Sequence, residues 1–299
     1  MDINKHRYYM TQVLLAIFRD SELSRLLAFK GGTSMLMFRG LTRFSTDLDF
    51  NLLDPSYTEH VYKRLKQIVT HYGTIDDEAM KFFGPIINLN YEKGQRMLKI
   101  EVSNRQYDNH YELVNLLGTD IRVMTMPDMF AHKLCALSER VTPRDIYDVW
   151  FFLTKRTEIN ANIIRLRTDL ALEDYVLKCA EQVRQASPKE LMQGLGEVLL
   201  DNRSKTFVKT KLIEETATYL ELFATCPLIA NEKPTLRLNL LNAHPELVQQ
   251  IKANDIDLST VSEQSLVRLI ENKESLSFRN CKGENIAVLL ERNGTDEGF

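Results

Sequence analysis

Val13, Leu14, Ile17 and Phe18 fall at helical spacing and predict a helix over residues 5–20. A short strand over 26–29 then runs into Gly31-Gly32, residues 33–39 read as a short helix, and 47–53 as the next strand. Residues 57–72 read as helical, while 85–91, 97–103 and 120–125 read as strands. A helix follows from Met126 to Arg140, and a second from Pro143 to about residue 153. From about 160 to 224 the pattern is helical with polar breaks. The chain is more polar after Pro227 and Pro234, and residues 275–292 read as a β-hairpin turning between Asn280 and Glu284.

Composition narrows the class. The chain has 299 residues, 44% hydrophobic and 26% charged, the mix and length of a soluble protein with room for two domains. No apolar run approaches the ~20 residues that span a bilayer, and MDINKHRYYM carries no signal-peptide pattern, so a cytoplasmic protein with no membrane partner is expected. Cys135, Cys179, Cys226 and Cys281 are widely spaced; reduced thiols are expected, with neither zinc site nor disulfide framework. The formal net charge is −3, so a nucleic-acid partner needs a local basic surface.

Candidate chemistry concentrates in KGGTSMLMFRGLTRFSTDLDF, residues 30–50. Asp47 and Asp49 sit two apart on a strand, so both carboxylates face the same way, roughly 6.6 Å apart along the chain. Like charges this close repel unless a cation neutralises them. With a Gly-Gly turn opening a helix nearby, the arrangement suits a Mg²⁺-bound triphosphate, the metal on the acids and phosphate oxygens on backbone N–H groups. Lys30, Arg39 and Arg43 are close enough in sequence to assist.

In RMLKIEVSNR, Leu98, Ile100 and Val102 alternate with Lys99, Glu101 and Ser103. Glu101 is thus either a third metal carboxylate or a solvent-facing strand residue. Thr125 and Asp128 have capping-box spacing at the start of the next helix. Within it, Lys133 occupies an apolar stripe, and His132 reads as surface or core filler. Thr142 is the expected N-cap of the following helix, which accounts for Asp145 as a capping acid. Asp148 sits mid-helix among Tyr147, Val149, Phe151 and Phe152, and needs a cation. The break at Thr142-Pro143 lets Lys133 and Asp148 meet, as part of an active site or as a buried structural pair. Two basic groups, Arg203, Lys205, Lys209 and Lys211, and Lys155, Arg156, Arg165 and Arg167, suit an RNA backbone or an ordinary solvated helix face.

Together these segments resemble the AbiEii/AbiGii nucleotidyltransferase-like toxins, which include MenT-type toxins. The matching positions are Gly31, Gly32 and Thr33; Arg43, Ser45, Asp47 and Asp49; Lys99 to Val102; and Lys133, Ala136, Arg140, Arg144, Asp145 and Asp148. The likeness covers roughly residues 25–155. It implies an α+β fold on a DNA polymerase β-like core, a small mixed sheet flanked by helices over 1–155, and a mostly helical C-terminal half; the expected division is then a helical region over 156–226 and a small C-terminal α+β appendage over 227–299, where the likeness is weakest. It further implies a type IV toxin controlled by an antitoxin encoded nearby, transferring a nucleotide from a nucleoside triphosphate with Mg²⁺, in some members to the 3′ end of tRNA. By position, Asp47 and Asp49 would hold metal; Glu101, the third acid read from the strand alternation, would join them in the metal and catalytic sets. Lys133 and Asp148 would complete the catalytic set. Lys30, Gly31, Gly32, Thr33, Ser34 and Arg43 would hold the nucleotide, and Ser45 matches a position that receives a phosphate in some relatives. A protein or small-molecule acceptor, a nucleotide-binding module without transfer, and a metal-dependent nuclease are the rival readings.

Overall fold

The computed structural model describes residues 2–199, 201–225, 245–256, 265, 268–270, 275–280 and 284–288. Two units form, Met1–Ala224 and Thr225–Phe299. The first begins with helix α1, Ile3–Arg19, whose N-cap Asp2 accepts the backbone N–H groups of Asn4 and Lys5. A short helix, α2 (Leu23–Leu26), leads into strand β1, Leu27–Lys30, and helix α3, Gly31–Phe38. Strand β2 is Asp47–Leu52, α4 is Thr58–Val69, and four more strands follow: β3 (Thr74–Lys81), β4 (Gly84–Asn90), β5 (Leu98–Ser103) and β6 (Tyr111–Leu116). Strand β7, Thr119–Met124, closes a seven-stranded mixed sheet in the order β3-β4-β5-β2-β1-β7-β6.

The sheet has one apolar and one polar face. Leu48 and Phe50 of β2 and Leu98, Ile100 and Val102 of β5 are buried, and α1 and α4 lie against this sheet. Phe50 meets Phe18 of α1 and Phe29 of β1. Alternation then sends Asp47, Asp49 and Asn51, with Lys99, Glu101 and Ser103, to the other face.

Helices α5 (Met126–Arg140) and α6 (Pro143–Thr154) are followed by α7 (Ala161–Thr168), α8 (Leu172–Arg184), α9 (Pro188–Leu195), α10 (Asn202–Thr210) and α11 (Leu212–Thr225). No described helix is long and apolar enough to cross a membrane. In the second unit, helix Pro245–Ala253 and the antiparallel pair Leu276–Arg279 and Asn285–Val288 supply a small core that includes Leu247, Ile251, Phe278 and Val288. The hairpin forms where the alternation places it.

One expectation at α5 is corrected. Thr125 is the N-cap but makes no side-chain capping bond, so the capping box does not form. Asp128 is buried instead, accepting the backbone N–H of His110 and the Asn160 amide at 2.7 Å; it ties down the loop before β6 and the start of α7. Cys135 and Cys179 are buried free thiols, as expected; Cys226, Cys281, Pro227 and Pro234 lie outside the described residues.

Candidate active site

A cleft of about 1100 Å³ lies on the polar face of the sheet, walled by α5 and α6, with Arg167 of α7 and Gln193 and Gly194 of α9. One rung of the sheet carries much of its floor. Lys30 of β1 faces Asp49 of β2, which faces Glu101 of β5, and Glu101 faces Ile86 of β4. All four side chains line the cleft, with Asp47 two residues before Asp49 on the same face. Burial, then the nearby charge of Asp47, pushes the Asp49 carboxyl up to about 6. Burial also brings the Lys30 amine down to about 8, although Asp49 and Glu101 favour its charge.

The first glycine of the Gly-Gly turn lies directly against Asp49. Gly31 has φ +80°, and a Cβ built there would lie 2.5 Å from Asp49 Oδ2. The turn therefore needs glycine twice over, for its conformation and for its approach to the carboxylate. The first-turn N–H groups of α3 have no partner within the helix, which makes this end an anion seat. Gly31→Ala is expected to displace the Asp49 carboxylate. Any catalysis in the cleft should fall at least about a hundred-fold while stability falls by only about 1–2 kcal/mol; activity and thermal unfolding of one preparation check this.

The structure separates the remaining candidates. Lys30, Gly31, Gly32, Arg43, Asp47, Asp49, Glu101 and Lys133 line the cleft. Thr33 and Ser34 do not: the Thr33 hydroxyl bonds to Ser45 Oγ and the Asp47 carbonyl, and the Ser34 hydroxyl bonds to the Gly31 carbonyl at 3.0 Å. Their side chains brace the turn, leaving backbone groups alone for a ligand. Arg39 pairs with Glu112 and is not among the lining residues.

Asp148 lies behind the wall, fully buried. Arg43 grips it with Nε on Oδ1 and NH2 on Oδ2, each at 2.7 Å, and Lys133 Nζ reaches Oδ2 at 2.7 Å. Burial would raise this carboxyl, but Arg43 and Lys133 hold it below the usual range. Lys133 also meets Asp145 at 3.2 Å. Burial would lower its amine, but Asp148 and Asp145 keep it above the ordinary value.

Asp145 is more than the capping acid its position suggested. Thr142 does cap the helix, donating to the Asp145 carboxylate and accepting its backbone N–H. The same carboxylate takes Arg140 Nε at 2.8 Å and lines the cleft. Despite burial, Lys133 and Arg140 bring it down to about 2.

His132 is neither surface nor filler. It lines the cleft, with Nε2 against Asn109 Oδ1 at 2.7 Å and Nδ1 against Arg167 at 3.0 Å. Burial, then Lys30 and Arg167, lowers it to about 3. Of the two basic groups, only Arg167 lines the cleft. Nine lysines and arginines line it against six aspartates and glutamates, so this cleft of a net-acidic chain favours anions.

A divalent cation fits the Asp47–Asp49 pair: two carboxylates on one face, of the hard oxygen type it prefers, one pushed up to about 6 by burial and then by the charge of the other. The expected three-carboxylate site is not assembled. Among the described residues no group of three or more His, Cys, Asp or Glu stands ready to hold a metal. Glu101 occupies the right rung, but its carboxylate pairs with Lys99, two residues away on the same face.

Residues 12–225 match the family model described as nucleotidyl transferase AbiEii toxin, type IV TA system. No curated protein matches in sequence. Solved structures with a similar chain include JHP933 from Helicobacter pylori, 20% identical, covering 81% of this chain and 97% of its own with TM-score 0.44. MenT4, a nucleotidyltransferase toxin from Mycobacterium tuberculosis H37Rv, is 17% identical, covering 80% of this chain and 91% of its own with TM-score 0.40. The match to the family model spans most of the chain and contains every cleft residue described above, and the chain belongs to the AbiEii nucleotidyl transferase toxins of type IV toxin–antitoxin systems.

Proposed function

We propose that the cleft transfers a nucleoside monophosphate from a triphosphate to the 3′-hydroxyl of an RNA, with tRNA as the foremost acceptor. The observation that carries this is the Asp47–Asp49 pair, with Gly31 directly against Asp49. Asp47 and Asp49 would hold Mg²⁺, which when bound supplies charge to the triphosphate.

The N–H groups at the start of α3 bind phosphate oxygens, and Lys30, the residue just before that helix, offers them a cation. The acceptor oxygen attacks the α-phosphorus, the bond to the β-phosphate oxygen breaks, and pyrophosphate leaves. Glu101 accepts the hydroxyl proton, since it faces the cleft one strand from Asp49. Asp148 cannot serve, because both its oxygens are held by Arg43 and Lys133 behind the wall. Lys133 and Arg140 offset charge that grows on the leaving group, while Arg43 holds Asp148 behind them. An antitoxin is the protein partner this family implies, and nothing in the chemistry requires a membrane.

The test incubates the protein with each radiolabelled triphosphate, Mg²⁺ and total tRNA. Label entering tRNA with release of pyrophosphate supports the reading. Label entering protein alone, or bound triphosphate with no pyrophosphate released, overturns it.

A further inference from the structure

The turn between β3 and β4 exposes two aromatic rings that the chemistry above does not use. Phe82 is 88% exposed and Phe83 46%. They stand nearly perpendicular, centroids 4.9 Å apart, and both line the cleft. The tip is also fixed in place. Asn104 donates its N–H to the Phe83 carbonyl at 3.0 Å, and a Cβ at Gly84 would lie 2.1 Å from the Val102 carbonyl, so hairpin and the end of β5 touch backbone to backbone. Arg105 lays its guanidinium 3.6 Å over the Phe83 ring, and Lys81 precedes the pair.

Position ties this tip to the reacting centre. Glu101, Ser103 and Arg105 follow one another at every second residue and all line the cleft. Two such steps span roughly 13 Å in extended chain. An acceptor end reacting beside Asp49 thus brings its preceding nucleotides to the hairpin tip.

Resting on the transfer reading above, we infer that Phe82 and Phe83, with Arg105 and Lys81, form a stacking platform for the single-stranded 3′ end of the RNA acceptor. Any base offers a π-face to an exposed ring, and guanidinium and ammonium groups beside it suit the phosphates. A protein partner is the poorer occupant. The apolar patch is two rings wide, flanked by cations, and opens into an anion-binding cleft rather than onto a broad apolar surface.

The test measures binding of a fluorescent single-stranded RNA octamer to the full chain, without triphosphate, and in parallel the transfer kinetics. Phe82→Ala, at a solvent-exposed position, should weaken octamer binding about ten-fold or more. It should raise KM for tRNA similarly and leave KM for the triphosphate unchanged, whereas Phe82→Trp retains binding. Arg105→Ala should lower the salt dependence of binding. Equal octamer affinity in wild type and Phe82→Ala overturns the platform, and so does a loss confined to triphosphate binding or to capture of the purified antitoxin. If wild type transfers nothing to RNA yet Phe82→Ala still loses the octamer, the function proposed above falls and the platform stands.

Discussion

Asp49→Asn is expected to lower nucleotidyl transfer at least about a thousand-fold without lowering the unfolding temperature. The two halves of this expectation have one cause. Asp49 is half-buried beside Asp47, and that arrangement pushes its carboxyl up to about 6. At neutral pH the fold therefore carries an unfavourable charge, and each unit of such a shift corresponds to about 1.4 kcal/mol. Asparagine keeps the shape beneath Gly31 and removes the charge, relieving Asp47 while leaving Lys30 without its opposite neighbour. These effects oppose each other, so stability should hold or rise slightly. Transfer should not survive, because one neutral amide and one carboxylate neutralise too little of the charge that a divalent cation brings to the phosphates. Steady-state transfer into tRNA and thermal unfolding of wild type and variant decide the matter. A variant with near-normal activity would remove Asp49 from the reaction, and one that unfolds well below wild type would make it a structural residue.

Much of this frame was legible because the local signals agree. Gly31, Asp47 and Asp49 each obey a one-dimensional rule, a positive φ for the first and alternation for the others. Alternation also placed Glu101 on the correct face. Two strands escaped: β3, TIDDEAMK, and β6, YELVNL. They are the two edges of the sheet, mostly exposed, so neither needs the apolar alternation that betrays a half-buried strand. Backbone pairing holds β3, with a bulge after Ile75, and its acidic run discourages further pairing at that edge.

The site was less legible wherever a side chain's role depends on a partner distant in sequence. Arg43 lies 105 residues from Asp148, and no local pattern says that its guanidinium is spent on that carboxylate. His132 is placed by Asn109 and Arg167, both in segments without a helical or strand motif shared with it. Asp145 has a sufficient local explanation as a cap, which hid its ties to Lys133 and Arg140.

Asp148→Asn is the second large effect, and it separates a structural from a catalytic role. The side chain of Arg43 is 3% exposed and that of Lys133 17%. Without the Asp148 charge both cations stay buried, with Asp145 alone able to answer Lys133. Breaking a buried ion pair from one side costs about 3–5 kcal/mol, which for a unit of this size lowers Tm by roughly 10 °C. The loss should depend on pH. Asp145, brought down to about 2, and Asp148, also held below the ordinary carboxylate range, contribute stabilisation that is present above that range and is lost as pH falls through their folded values. The gap between wild type and variant should therefore close in acid. Activity should fall along with stability, since Arg43 and Lys133 line the cleft and lose their anchor. On the proposed mechanism, which leaves Asp148 out of the proton transfer, the acid limb of the pH–rate profile should stay where it is. Were Asp148 the base, its amide would erase that limb as well as lowering Tm. Thermal unfolding at pH 7 and pH 3, together with one pH–rate profile, distinguishes the two.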